Sequence, residues 1–208
     1  MDLEKLGFSR MTYSEVILTI RLKETVNAAP MGILLNDDEE PRLKVRVYES
    51  QRTYEMILNG AGDCVLNITD DPLLFYNAIF RKDEISYIPA ESVSSPRICD
   101  CKAYVECSIN EVVKHGGYVE VFLKPLLINV TRRSVKTFNR AGPAIIEALI
   151  CYSKLLYFKD ADMEEAENLM KRIDIFRDIV YHSTKDETLR KAAARILEKS
   201  KELFPEGS

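Results

Sequence analysis

The chain has 208 residues, 46% of them hydrophobic and 30% charged, enough for one large core or a core with an appendage, which excludes a disordered tail. Its 29 basic and 33 acidic residues leave a formal net charge of −4, so there is no overall electrostatic footprint for nucleic acid or anionic lipid. No apolar run approaches the roughly 20 residues that span a bilayer, and Met1-Asp2-Leu3-Glu4-Lys5 lacks the basic-then-apolar order of a signal peptide, so a cytoplasmic protein without membrane or nucleic-acid partners is expected.

From Thr12 to Arg21, Val16, Leu18 and Ile20 alternate with Ile17, Thr19 and Arg21, the period of a strand rich in β-branched residues. Lys23-Glu24-Thr25 reads as a turn. Val26 to Leu35 resumes extended structure with Ala29, Met31, Ile33 and Leu35 on one face and Pro30 and Gly32 on the other; Pro30 cannot donate to a ladder, so the strand is expected to be irregular or at an edge there. A polar loop, Asn36 to Pro41, precedes a third strand in which Leu43, Val45 and Val47 alternate with Lys44, Arg46 and Tyr48.

Ser50 stands where a helix N-cap belongs, with Met56, Ile57 and Leu58 as the apolar residues and Gly60 as the stop. Cys64 to Thr69 is a fourth strand. Asp70-Asp71-Pro72 joins a capping acid to a proline suited to the first helical position, so a short helix through Phe80 follows. Arg81 to Asp100, with Pro89, Pro96 and Ser92-Val93-Ser94-Ser95, resists regular structure and suggests a long loop able to cover a site. Ala103 to Asn129 gives two long strands around His115-Gly116-Gly117, a hairpin signal.

After Thr137 the period changes. Phe138, Ala141, Ile145, Leu149, Tyr152 and Leu156 recur at helical steps, as do Ala166, Leu169, Ile173, Phe176 and Val180, and then Leu189, Ala193, Ile196 and Leu203. Asp162 with Glu165 and Thr184 with Glu187 read as capping pairs for the second and third helices. The fold class is therefore mainly β with α (α+β), with a β-rich domain over 1–137 and a region of three helices over 138–208.

The chemistry concentrates in three stretches. Asn27-Ala28-Ala29-Pro30-Met31-Gly32 is a strand of small residues against which a planar ring could lie. Arg46, Ser50, Gln51, Arg52 and Thr53 run from a strand into a helix start, where cationic side chains and free N–H groups favour a phosphate; the plain alternative is a solvated Arg46 and a Ser50 that only caps. The third stretch is Cys64-Val65-Leu66-Asn67-Ile68. Together they suit a mononucleotide with a flat aromatic group.

Other candidates are weaker. Cys99, Cys101 and Cys107 could offer soft ligands, but no second C-x-x-C or nearby histidine completes a zinc set, so no metal is expected. Five cysteines at irregular spacing argue for reduced thiols. His115 reads as a turn residue and His182 as a helix end. Arg132, Arg133, Lys136 and Arg140 form the densest basic patch, either a solvated connector or a phosphate clamp. No catalytic acid or base stands out.

This order of small-residue strand, basic strand, Ser-x-x-Thr helix start and Val-x-Asn strand resembles the flavin reductase-like, FMN-binding split barrel. More narrowly, Glu15 to Thr19, Asn27 to Gly32, Thr69-Asp70-Asp71-Pro72 and Phe138-Asn139-Arg140-Ala141 resemble an uncharacterised archaeal family of that superfamily. The resemblance implies FMN as cofactor, with Asn27 to Gly32 facing the isoalloxazine ring, Arg46 to Thr53 holding the phosphate, and Asn67 near the ring or ribityl chain. It implies a homodimer with FMN at the subunit interface, and an oxidoreductase fed by a reduced nicotinamide or deazaflavin donor. A non-catalytic FMN-binding or sensing module, and a deazaflavin-binding protein, are the alternatives.

Overall fold

The computed structural model describes residues 3–8, 10, 14–36, 42–99, 101–131, 141–184 and 186–204. They divide into two units: Met1–Thr69 with Asn77–Ser134, and Asp70–Tyr76 with Val135–Ser208.

The first unit is built on six antiparallel strands closed into a barrel in the order β1-β2-β3-β8-β7-β4. Here β1 is Ser14–Leu22, β2 Thr25–Leu35, β3 Leu43–Tyr48 and β4 Asp63–Ile68, while β5 (Tyr87–Ile88) and β6 (Arg97–Ile98) form a separate two-stranded ribbon, and β7 (Ala103–Lys114) and β8 (Tyr118–Val130) make the long hairpin. Alternation decides which side chains fill the barrel: Val16, Leu18 and Ile20 of β1, Met31, Ile33 and Leu35 of β2, Leu43, Val45 and Val47 of β3, and Cys64 and Leu66 of β4 meet Val105, Cys107, Val119, Val121 and Leu123 in one buried cluster. The expected hairpin turn is present, with Gly117 at a φ of 86°. Two bulges, at Glu106/Cys107 and Ile109/Glu111, bend β7 against β8.

One seam of the barrel is partial. β1 and β2 pair along their whole length, from Ser14↔Ile33 to Leu22↔Thr25, but β2 and β3 pair only over Ile33↔Val45, Leu34↔Lys44 and Leu35↔Leu43. β2 from Thr25 to Gly32 therefore has a ladder on its β1 side alone. This is where the proline at position 30 predicted an edge.

α1 (Arg52–Leu58) follows β3 and packs Met56 and Ile57 into the barrel cluster. Its end is as expected: Gly60, at a φ of 97°, donates to Ile57, and Ala61 donates to Met56, the paired bonds of a Schellman motif. Its start is not. Ser50 is an exposed turn residue, the capping position falls on Gln51, and no side chain caps the helix. The Gln51 side chain instead accepts from the Tyr48 N–H at 2.9 Å, which draws it back along β3.

α2 (Pro72–Phe80) opens as its proline predicts, with the Leu73 N–H on Asp71 Oδ1. The following stretch holds a 3-10 turn, Lys82–Glu84, and the small ribbon rather than an unstructured loop. It is fixed to the outside of the barrel by polar groups. Asp63 accepts from Ser94 N and Oγ and from Ser95 N at 2.8–2.9 Å, and the fully buried Glu106 accepts from Glu91 N and Ser92 N at 2.8 and 2.5 Å.

In the second unit α3 (Ala141–Phe158), α4 (Met163–Ser183) and α5 (Glu187–Leu203) pack on one another. α3 is apolar and long enough by composition to cross a membrane, but Ala144, Ile145, Ala148, Leu149 and Leu155 are buried, as in the core helix of a bundle. Asp162 caps α4 by accepting from Glu165 N at 3.1 Å. α5 is capped by Asp186, on Thr188 N and Leu189 N, not by Thr184, which closes α4 and accepts from Asp186 N. Phe138, Asn139 and the basic residues Arg132, Arg133, Lys136 and Arg140 lie outside the described residues.

Burial alone would raise the Asp63 carboxyl, but the bonds from Ser95 and Ser94 outweigh it and hold its pKa below the ordinary 3.8. The folded pKa is depressed, so its stabilising effect is complete above the unfolded value and is lost as pH falls through the folded one. Acidification below pH 3.8 is expected to expose amides 92–95 to hydrogen exchange before the barrel strands open, and Asp63→Asn should show that exposure already at pH 7.

Candidate functional site

Beside the partial seam, three elements meet around one polar cluster. Asn27 of β2 is 1% exposed and donates from Nδ2 to Thr53 Oγ1 of α1 at 3.0 Å, while its Oδ1 accepts from Lys82 Nζ at 2.5 Å. Thr53 is fully buried. The Asn27 amide thus takes up part of the space where β2 and β3 do not pair, and it positions a hydroxyl and an ammonium together.

Arg52 precedes Thr53 on the exposed side of α1, close enough for its charge to bear on Lys82. Burial of the ammonium first, and the Arg52 guanidinium second, lower the Lys82 pKa from 10.5. Among the described residues neither cation has a carboxylate partner. Two like charges held next to each other without a counter-ion are unfavourable until an anion joins them.

The strand beside the cluster is bare. Ala29 and Met31 of β2 side with the barrel cluster, so Ala28, Pro30 and Gly32 face outward by alternation. Ala28 is fully covered, while Pro30 and Gly32 are half-buried. The Pro30–Gly32 stretch therefore offers the accessible part of the small-residue face.

The other residues read from the sequence lie differently. Arg46 points away from the barrel interior: it meets Glu120 at 3.4 Å, its register partner on β8, and lies 4.4 Å from the centroid of the Tyr118 ring. Tyr118 also stacks on His115 at 4.7 Å. Asn67, fully buried, donates to Ile17 O, Thr19 Oγ1 and Val65 O at 2.9–3.2 Å and accepts from Ile98 N at 2.7 Å. Its amide ties β1, β4 and β6 together. The structure thus brings Asn27, Arg52 and Thr53 together, with Ser50 and Gln51 in the turn just before them, and sets Arg46 and Asn67 in bonds of their own.

Lys82 was not legible in the sequence. It lies 55 positions beyond Asn27 in a polar stretch, and the one available signal was its place just after a helix that ends at Phe80. All five cysteines are unbridged, and the described residues hold no group of three potential metal ligands.

The closed six-stranded barrel has the fold of the flavin reductase-like split barrels it resembles. Residues 14–132 match the family described as "Protein of unknown function (DUF447) N-terminal domain", and the chain belongs to that family. Among solved structures it is similar to the FMN-bound protein MM1853 from Methanosarcina mazei, of the same family, at 21% identity and a TM-score of 0.76 over 96% of this chain and 100% of that one. It is also similar to a flavoredoxin from Methanosarcina acetivorans (16% identity, TM-score 0.51, 61% and 73% of the two chains) and to the flavin reductase PheA2 (17%, 0.51, 64% and 90%). No curated protein matches the chain.

The lowered Lys82 pKa carries a sign. Below the folded pKa the ammonium is charged at a cost to the folded state, and that cost is relieved as pH rises through it. Without ligand, Lys82→Gln should raise the melting temperature at pH 7, by a gain of at most about 1 kcal/mol because the side chain is only half-buried and water still screens its charge. The gain should shrink as the pH is raised toward 10.

Proposed function

We propose that the protein is an FMN-binding flavoprotein and an oxidoreductase of the flavin reductase-like type. The observation that carries this reading is the pair of cations, Lys82 and Arg52, which form no ion pair with a carboxylate among the described residues, near an open strand of small residues. Kinship supports it: a structural relative of the same family, matched over its full length, is FMN-bound, and another protein of this fold is a flavin reductase.

The residues fit the group. Lys82 and Arg52 neutralise the phosphate, while Asn27 keeps Thr53 and Lys82 in place through its two bonds. Pro30, Met31 and Gly32 leave room for the ring, with their backbone as the source of any polar contact to it. FMN, when bound, supplies hydride or single-electron exchange at its ring. The chain's part is to grip the phosphate, orient the ring against β2 and limit water around it. A reduced nicotinamide or deazaflavin is the proposed donor, and a cytoplasmic homodimer the proposed assembly.

Purified protein is expected to be yellow, with absorption at about 450 nm from one flavin per chain. Replacing Arg52 and Thr53 together by alanine should weaken FMN binding by roughly a hundredfold, the loss of one charge-assisted and one neutral hydrogen bond, read by fluorescence titration; undiminished affinity would place the phosphate elsewhere. Anaerobic bleaching by reduced nicotinamide or reduced deazaflavin identifies the enzyme, whereas a flavin that neither donor reduces identifies a non-catalytic module.

A further inference from the structure

We infer that Lys82 is a specificity-determining residue that makes the site selective for a phosphate monoester dianion, so that it takes the flavin mononucleotide and rejects both riboflavin and the dinucleotide. This rests on the flavin reading above and deepens it.

A phosphate monoester concentrates close to two negative charges on one phosphorus at pH 7, its second pKa being about 6, whereas each phosphate of a dinucleotide, an ester on one side and an anhydride on the other, carries one. The corner presents two positive charges, from Lys82 and Arg52, and no carboxylate among the described residues. A monoester neutralises both. Riboflavin neutralises neither and leaves the like charges facing each other.

The enclosure acts in the same direction. Behind Lys82 stand Asn27 and Thr53, 1% and 0% exposed and bonded to one another, so the inner wall is closed to a phosphate that must continue into a second phosphate and a nucleoside. Asn27 Oδ1 holds the Lys82 ammonium in this structure. A ligand oxygen arriving at the corner meets an ammonium already placed, so little side-chain ordering remains to be done on binding.

Among the described residues the charged groups around Lys82 are few. On its own turn Arg81 is paired to Glu84 at 3.0 Å, and Asp83 is exposed; across from it stands Arg52 on α1, and β2 contributes the neutral Asn27. No histidine belongs to the cluster. The titration of the ligand's own phosphate therefore dominates the dependence of binding on pH between 5 and 8.

The test is a set of titrations of the full chain with FMN, riboflavin and FAD at pH 5, 6, 7 and 8, for wild type, Lys82→Gln and Lys82→Arg. Wild type is expected to bind FMN at least a hundredfold more tightly than riboflavin or FAD, with affinity rising about tenfold from pH 5 to pH 7. Lys82→Gln should lose roughly ten- to a hundredfold in FMN affinity, leave riboflavin affinity unchanged and flatten the pH profile, and Lys82→Arg should restore most of both. If wild type binds FMN but Lys82→Gln keeps its preference over riboflavin and its pH slope, the role of Lys82 is overturned while the flavin reading stands. Equal binding of FMN and FAD by wild type overturns it in the same way. Binding of no flavin at any pH overturns the flavin reading, and this inference with it.

Discussion

The incomplete pairing of β2 with β3 is the constraint from which the site follows. A closed barrel leaves no strand edge, and here closure is achieved by three register pairs, Ile33 to Leu35 against Leu43 to Val45. Pro30 has no N–H to give, and β3 beyond Val45 stays with β8 through Arg46↔Glu120 and Tyr48↔Tyr118. The two strands diverge, and α1 starts in the gap. The Asn27–Thr53 bond then stands in for ladder bonds that the divergence removes, which is why a polar side chain is buried at a position that alternation would otherwise give to an apolar one.

A second set of buried polar groups fixes the long connection after α2. Thr19 donates to Pro96 O, Asn67 accepts from Ile98 N, Asp63 takes the Ser94 and Ser95 amides, and Glu106 takes those of Glu91 and Ser92. Each is a side chain on the outer face of β1, β4 or β7 satisfying backbone that has no regular partner. An irregular stretch held at so many points behaves as part of the scaffold rather than as a flap. Lys82 lies at the start of this connection, so its position relative to Asn27 is set from both sides.

Much of the barrel could be read in the sequence because period-2 alternation survives in β1, β3 and the β7–β8 hairpin, where one face is core and the other is not. The helices were equally plain from their three- and four-residue steps. The cap residues were less so: Ser50 and Thr184 have the right chemistry one or two positions too early, and Gln51 and Asp186 take the places because the preceding turns consume the extra residues. Arg46 shows a different limit. Its neighbours in sequence suggest a phosphate ligand, but its partners, Glu120 and Tyr118, come from a strand over 70 positions away and become visible only through register. Lys82 is the converse case, a lysine that in sequence looks like any solvated one and acquires meaning from the amide it touches.

The balance between local and overall charge explains why the corner has to be built this way. With a formal net charge of −4, the chain as a whole repels an anionic mononucleotide, although at physiological salt that field is screened within about 8 Å. Attraction must therefore come from groups within direct reach of the phosphate, where screening is weakest. On the proposed reading Lys82 and Arg52, which form no ion pair with a described carboxylate, provide it, at the expense of like-charge repulsion when the site is empty. A neighbouring acid would relieve that repulsion and make the unliganded fold more stable, but it would also occupy the corner with an internal anion.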